Sequence, residues 1–192
     1  RSSLVAQKYS TSMPDLQQIG REAAVDIVLA GNGSDEIIQI LITCFARPRT
    51  GQSTARIFFP TPSFSVFQLF AETHGLTACR APLDENFELD LEATRKVIAN
   101  ERPNIAFFAR PNNPTGTLWP ADALIELAEE FRDTLIVSDE AYGEYASGSL
   151  VDALPAHDNL MVMKTLSKVG LAGVRVGFAM ARPEIIAELD KA

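Results

Sequence analysis

Short apolar runs alternate with longer amphipathic segments from residue 26 to the end of this 192-residue chain. Runs such as RIFFP at 56–60 and NIAFFARP at 104–111 have the length and residue types of buried strands, whereas LDLEATRKVIAN at 89–100 has helical periodicity. Strands that alternate with helices form βαβ units, in which parallel strands are covered on both faces. The sequence therefore predicts an α/β fold with a three-layer, doubly covered and mostly parallel sheet.

The remaining segments extend this alternation within one predicted domain. Further strands are predicted at 26–30 and 77–83 and within 134–142, 160–168 and 174–181, and further helices at 35–46, 63–75, 121–133 and 183–192. GNGS at 31–34 is predicted to be a turn. Asp90 has the side chain of a helix cap for 89–100, and Pro120 is suited to begin the helix at 121–133.

Composition excludes several classes of function. The 25 acidic and 17 basic residues give a net charge of −8, which disfavours binding to nucleic acid. Cys44 and Cys79 form no CxxC pair and no histidine stands at ligand spacing, so we expect reduced thiols and no metal site. No apolar run is long enough to span a membrane and no signal-peptide pattern is visible, so the predicted location is the cytoplasm.

Polar motifs follow several predicted strands, where parallel sheets bind their ligands. GNGSDE at 31–36 joins a strand to a helix, and is either an anion seat at the helix N-terminus or a simple turn. Asp139 ends a buried strand, where a carboxylate is costly unless a cation or hydrogen-bond donors meet it. It either pairs with a bound cation or caps a neighbouring loop.

Two further motifs have the same ambiguity when each is considered alone. Asn113 lies in RPNNPTG, whose prolines either aim its amide at a ligand or make the turn purely structural. Lys168 follows a strand, and near a desolvated pocket its amine can act as a nucleophile towards carbonyls. Arg175 can form a forked contact with a phosphate. The alternative for both basic residues is a solvated surface position.

Taken in order, GNGSDE, PSF, PNNPTG, SDEAY and TLSKVGLAGVR resemble motifs of the fold type I pyridoxal-phosphate enzymes, and within them the histidinol-phosphate aminotransferase group of the class II aminotransferases. The resemblance runs from about residue 26 to the end of the chain. The motifs are jointly far more specific than any one of them. The resemblance implies pyridoxal 5'-phosphate as cofactor and a homodimer with active sites at the subunit boundary.

The resemblance also implies a role for each matched residue at the cofactor ring. Lys168 matches the lysine whose amine holds the cofactor and then moves a proton. Asp139 matches the carboxylate that keeps the pyridine nitrogen protonated. Asn113 and Tyr142 match the pair that hydrogen-bonds the ring oxygen, and Phe64 matches the aromatic residue stacked on the ring. Lys168, Asp139 and Tyr142 are thus the implied catalytic residues.

The implied phosphate seat consists of the backbone amides of Ser34 and Asp35, the hydroxyls of Thr165 and Ser167 and the guanidinium of Arg175. Arg175 stands seven residues after the lysine, one fewer than in many relatives. The loop between them therefore has to be shorter while both groups still reach one cofactor.

The resemblance implies transamination between L-histidinol phosphate and 2-oxoglutarate in histidine biosynthesis. The alternatives are an aminotransferase for aromatic or other amino acids, a threonine-phosphate decarboxylase, and an aminotransferase-like sensing domain of a transcriptional regulator. Residues 1–25 are expected to lead into a cofactor-binding domain at 26–192, with a small C-terminal domain absent from this chain. Tyr9 either matches a tyrosine that reaches the partner subunit's cofactor or is an ordinary surface residue.

Overall fold

A computed structural model describes residues 27–192 as a seven-stranded sheet covered by helices. The strands are Val28–Asn32 (β1), Arg56–Thr61 (β2), Thr77–Pro82 (β3), Ile105–Ala109 (β4), Leu135–Asp139 (β5), Leu160–Thr165 (β6) and Val176–Met180 (β7). Across the sheet they lie in the order β1-β7-β6-β5-β4-β2-β3. Tyr9 and the rest of the segment 1–25 lie outside the described residues.

The sheet is mostly parallel, as the alternation of strands and helices predicts. Within the described residues only β7 runs against its neighbours, pairing antiparallel with both β1 and β6. The amino end of β7 therefore lies at the same edge as the carboxyl ends of the other strands. This reversal decides where the segment before β7 is placed.

Helices cover both faces of the sheet, which gives the predicted three layers. They are Gly33–Phe45 (α1), Ser65–Thr73 (α2), Leu91–Glu101 (α3), Ala121–Glu130 (α4) and Pro183–Leu189 (α5). One core cluster packs α1, α2 and α5 on one face, where Phe67 and Phe107 stack with ring centroids 4.9 Å apart. A second cluster packs α3 and α4 on the other face around Phe108 and Trp119.

Most predicted segments are found, including the cap of α3, where Asp90 accepts a hydrogen bond of 2.9 Å from the Ala93 amide. The boundary between β1 and α1 was predicted wrongly. Gly31 and Asn32 belong to the strand, because they pair with β7, and the helix begins at Gly33 rather than near residue 35. Gly33 has a φ of +83°, so this one residue turns the chain directly into the helix.

The described residues lack the features of a membrane span and of a clustered metal site. No helix in residues 27–192 has both the length and the apolar character needed to cross a membrane. The same residues contain no group of three or more His, Cys, Asp and Glu side chains placed to hold a metal ion. Both cysteines are free, and burial raises the pKa of Cys79 to about 11, so this thiol stays protonated.

Candidate active site

A pocket opens at the edge where the parallel strands end, which is where sheets of this kind bind their ligands. Its lining contains all ten residues to which the motif resemblance assigns a role, together with three small apolar residues: Ser34, Asp35, Phe64, Asn113, Asp139, Tyr142, Thr165, Ser167, Lys168 and Arg175, with Ala109, Pro111 and Ala141. The three apolar residues have no chemical signature that sequence reasoning could have used. The fold thus brings motifs from most of the chain into one cavity.

Topology explains how these residues meet. Phe64 follows β2, Asn113 follows β4, Asp139 ends β5 and Lys168 follows β6, so all four lie at the carboxyl edge of the sheet. Arg175 instead precedes β7. It reaches the same edge because β7 is antiparallel, a feature that the sequence pattern did not predict.

The carboxyl group of Asp139 is buried, with the residue only 3% exposed. Burial raises its pKa to about 7, and the negative charges of Asp35 and Glu140 add to the increase. The Ala141 amide, which donates to Asp139 Oδ1 at 3.1 Å, and the charge of Lys168 act in the opposite direction. These two contacts leave the carboxylate under-compensated, so a positively charged ligand atom beside it would stabilise its ionised form.

Lys168 lies in a 3₁₀ turn, Leu166–Lys168, directly after β6, and its side chain is exposed. Its Nζ is 5.3 Å from the centroid of the Tyr142 ring, within the range of a cation–π contact. The Tyr145 hydroxyl donates to the Lys168 carbonyl oxygen. No salt bridge within residues 27–192 involves Lys168, so its amine is held beside the pocket without being neutralised by a carboxylate.

The N-terminus of α1 presents free backbone donors to the pocket. Asn32 occupies the cap position but makes no side-chain cap hydrogen bond, and the first N–H groups of an α-helix have no partner within the helix. The amides of Ser34 and Asp35 are among these groups. The Arg175 guanidinium adds positive charge, because a Cβ placed on Gly33 would lie only 2.7 Å from its Nη2 atom. This corner of the pocket suits an anion.

The shortened loop between Lys168 and Arg175 closes through a second 3₁₀ turn, Ala172–Val174. Arg175 follows this turn with a φ of +51°, in the left-handed region. Both basic residues line the pocket despite the seven-residue spacing. The chain enters β7 at Val176, directly after this left-handed residue.

The adjacent residues Asn112 and Asn113 have different roles. Asn112 is buried, donates to the Pro62 carbonyl at 3.0 Å and to Thr115 at 2.8 Å, and accepts from Ser63 at 2.9 Å. It therefore fixes the loop. Asn113 lines the pocket, and no residue from 27 to 192 hydrogen-bonds its side-chain amide, which remains available to a ligand.

Gly177 is a residue of the site that sequence reasoning missed. A Cβ at this position would lie 2.3 Å from the Gly33 carbonyl carbon and 2.5 Å from the Ser34 amide nitrogen. Only glycine lets β7 approach the N-terminus of α1 so closely. The signal was present in the sequence, since a glycine inside an apolar strand often marks the close approach of another backbone.

We expect Gly177→Ala to destabilise the fold by roughly 1–3 kcal/mol, because the clash is with backbone that cannot rotate away. Phosphate affinity should fall with it, since the displaced amides form the anion seat. Urea unfolding followed by circular dichroism measures the first effect, and calorimetric titration with phosphate the second. Gly173→Ala is the matched control, because a Cβ at that position would meet nothing within 4 Å; equal effects of both substitutions would contradict this account.

The sequence model of the family described as aminotransferase class I and II matches residues 5–192. The chain belongs to this family. The resemblance drawn from the sequence motifs is thereby confirmed.

Similar proteins within this family share substantial sequence identity with the chain. It is 41% identical to histidinol-phosphate aminotransferase 1 of Ralstonia nicotianae, over 92% of the chain and 47% of that protein. It is 43% identical to the histidinol-phosphate aminotransferase of Chromobacterium violaceum, over 88% of the chain and 46% of that protein. The chain thus spans about half the length of the curated relatives it matches.

Among solved structures, the fold resembles the histidinol-phosphate aminotransferase of Sinorhizobium meliloti in complex with pyridoxal-5'-phosphate, with a TM-score of 0.78. The match covers 100% of this chain and 55% of the other at 24% identity. At this identity the comparison supports the fold, which is the predicted three-layer, mostly parallel architecture.

Proposed function

We propose that this chain is the pyridoxal-phosphate-binding part of a histidinol-phosphate aminotransferase, which transfers the amino group of L-histidinol phosphate to 2-oxoglutarate in histidine biosynthesis. The convergence of all ten implied residues on one pocket is the observation that supports this proposal most strongly. Relatives about 40% identical over most of the chain support the choice of amino donor.

The pocket contains groups that suit the phosphate, the ring nitrogen and the aldehyde of this cofactor. A phosphate group suits the amides of α1 and the Arg175 guanidinium, which form the positive corner. A protonated ring nitrogen suits the buried Asp139, whose carboxylate the Ala141 amide and the charge of Lys168 compensate only in part. The aldehyde carbon suits the free amine of Lys168. The three parts of the cofactor therefore match three separate features of the site.

When bound, pyridoxal phosphate supplies an electron-withdrawing ring that accepts the electron pair left when the substrate carbon loses its proton. The Lys168 Nζ would hold the cofactor and, as a free base, would move a proton at the substrate carbon. Asp139 holds the positive charge at the ring nitrogen.

Asn113 and Tyr142 line the pocket and donate hydrogen bonds to the ring oxygen in this proposal. Phe64 covers the ring face, and its own ring is held edge-on by Phe67 at a centroid distance of 5.5 Å. These residues orient the ring, so that the Lys168 amine meets the reacting carbon in one geometry.

A substrate comparison on the whole protein tests the proposed amino donor. We expect kcat/KM with L-histidinol phosphate and 2-oxoglutarate to exceed that with phenylalanine or aspartate by at least about 100-fold, because a substrate phosphate offers charged contacts that those amino acids lack. Glutamate formation is the measured quantity. Carbon dioxide release from threonine phosphate, or a preference for an aromatic amino acid, would replace this function with one of the related ones.

The proposal includes an arrangement of domains and subunits. Residues 26–192 form the cofactor-binding domain, segment 1–25 leads into it, and substrate contacts come from a small domain beyond this chain. The active enzyme is a homodimer. Light scattering on the whole protein checks the dimer, and a monomer with full activity would contradict it.

A further inference from the structure

A buried carboxylate with no role in the proposed chemistry lies directly beneath the pocket. Glu140 is only 2% exposed, yet it accepts hydrogen bonds from the Ser149 hydroxyl at 2.6 Å, the Leu150 amide at 2.8 Å and the Ser138 hydroxyl at 3.3 Å. Its Oε2 atom also lies 3.4 Å from Nζ of Lys164, which is itself only 7% exposed. Glu140 thus joins donors from three segments of the chain.

On one side, Glu140 makes backbone hydrogen bonds within the segment that contains Asp139 and Tyr142. It directly follows Asp139, its amide donates to the Met163 carbonyl at 2.8 Å, and its carbonyl accepts from Gly143 at 2.9 Å. That second bond closes the turn in which Tyr142 lies. A Cβ on Gly143 would be 3.0 Å from the Glu140 Cβ, so the turn packs tightly on this side chain.

On the other side, Lys164 belongs to β6, immediately before Thr165 and shortly before Ser167 and Lys168. The ion pair therefore links the ends of β5 and β6. Asp139 lies at the end of β5, and Lys168 lies in the turn that follows β6. Thr165 and Lys168 line the pocket, whereas neither member of the pair does. Any effect of the pair on the reaction must therefore pass through its neighbours.

Stability alone is a weak reason to bury this pair. Taking two charges out of water has a large free-energy cost, and uncharged replacements of similar volume are often neutral or stabilising. A buried pair that crosses two strands does, however, fix their relative position, because its geometry is narrow. The reaction depends on the distance between Asp139 at the end of β5 and Lys168 after β6. A pair that fixes the positions of these two strands would therefore keep that distance constant.

We propose that Glu140, through its buried ion pair with Lys164, is a positioning residue that holds Asp139, Tyr142 and the Lys168 turn in the geometry the reaction needs. This inference rests on the proposed function. The α1 amides and Arg175 of the anion seat lie outside the pair's contacts, whereas Thr165 and Ser167 lie close to Lys164 in the chain. The pair therefore acts chiefly on the reaction at Lys168 and only in part on phosphate anchoring.

The test uses the whole protein and the double variant Glu140→Gln/Lys164→Met. It removes both charges of the buried pair together, along with the 3.6 Å contact between Lys164 Nζ and the partly exposed Glu144 carboxylate. The glutamine oxygen can still accept from the Leu150 amide. Glu188→Gln/Lys191→Met makes the same changes in an exposed ion pair and is the matched control. Four quantities are compared: the melting temperature, the Kd for pyridoxal phosphate, the rate of its covalent attachment to Lys168, and amide hydrogen exchange of peptides covering 142–150 and 164–170 without cofactor.

We expect a melting temperature within a few degrees of wild type and a cofactor Kd within about threefold, because the α1 amides and Arg175 still hold the phosphate. Attachment to Lys168 and kcat should each fall at least about tenfold, since a displacement near 1 Å can cost about 100-fold in rate. Hydrogen exchange in both peptides should accelerate at least about tenfold. Only a positioning role separates the rate from the affinity in this way.

Unchanged exchange and unchanged rates would overturn the inference. A large drop in melting temperature with a parallel loss of cofactor affinity would also overturn it, because it would show a general structural role. If wild-type protein forms no bond between Lys168 and pyridoxal phosphate, the proposed function fails, and the exchange measurement still decides whether the pair positions these segments.

Discussion

Replacing Lys168 with alanine is expected to lower transamination by at least about 1,000-fold, the largest effect predicted for any residue of this site. The same amine binds the cofactor and moves the proton, so its loss removes covalent attachment and general acid–base catalysis together. Cofactor affinity should weaken without being lost, because the amides of α1 and Arg175 remain. Initial rates of glutamate formation and equilibrium dialysis with pyridoxal phosphate measure the two effects.

Lys96→Ala provides the control for this substitution. Lys96 is exposed on α3 and lies outside the pocket, so its removal should leave the rate within about twofold of wild type. Turnover by Lys168→Ala near the wild-type rate would assign the chemistry to another group and contradict the proposed role.

Asp139→Asn is expected to lower kcat by about 100- to 1,000-fold, the usual loss when one preorganised electrostatic contact is removed. Asparagine keeps an oxygen that can accept from the Ala141 amide and removes only the charge that would hold the ring nitrogen protonated. Covalent attachment at Lys168 should persist, which borohydride trapping can show. Asp152→Asn, at an exposed carboxylate outside the pocket, should retain full activity.

The same substitution should stabilise the cofactor-free protein, and the gain should depend on pH. The pKa of Asp139 is raised from an ordinary 3.8 to about 7 on folding, so between these values the folded state holds a proton that the unfolded state releases. Its contribution to stability therefore falls as pH rises through this window and is lowest above pH 7.

Asp139→Asn removes this penalty, which is on the order of 4 kcal/mol because each pKa unit corresponds to about 1.4 kcal/mol. The increase in melting temperature should be larger at pH 8 than at pH 5. Differential scanning calorimetry at the two pH values measures the gain, and a gain independent of pH would show that burial does not shift this carboxyl as described. Asp139→Asn should thus gain stability and lose activity, as expected where a charge is buried in order to contact a ligand.

Sequence patterns could predict most of this fold and site because both depend on local chemistry. Apolar runs predicted the strands, and ligands bind beyond the carboxyl ends of parallel strands, so Asn113, Asp139 and Lys168 could be expected at one edge of the sheet. Considered alone, each of these residues was also compatible with a purely structural or solvated position. Their convergence in one pocket is a property of the whole chain.

The features that escaped prediction depend on contacts between distant segments. The antiparallel direction of β7 comes from its pairing with β1 and β6, and no periodicity encodes it. The need for glycine at 177 depends on how closely α1 approaches. The burial of Glu140 depends on donors from two later segments. A charged residue in a polar motif gives no sign of such burial.

Mapping the lysine that binds pyridoxal phosphate tests the central claim most directly. The whole protein is incubated with the cofactor, reduced with borohydride, digested and analysed by peptide mass spectrometry. The account predicts the modification on Lys168, together with loss of labelling when inorganic phosphate competes for the anion seat. Modification of Lys164, Lys96 or another lysine in place of Lys168, or no stable modification, would contradict it.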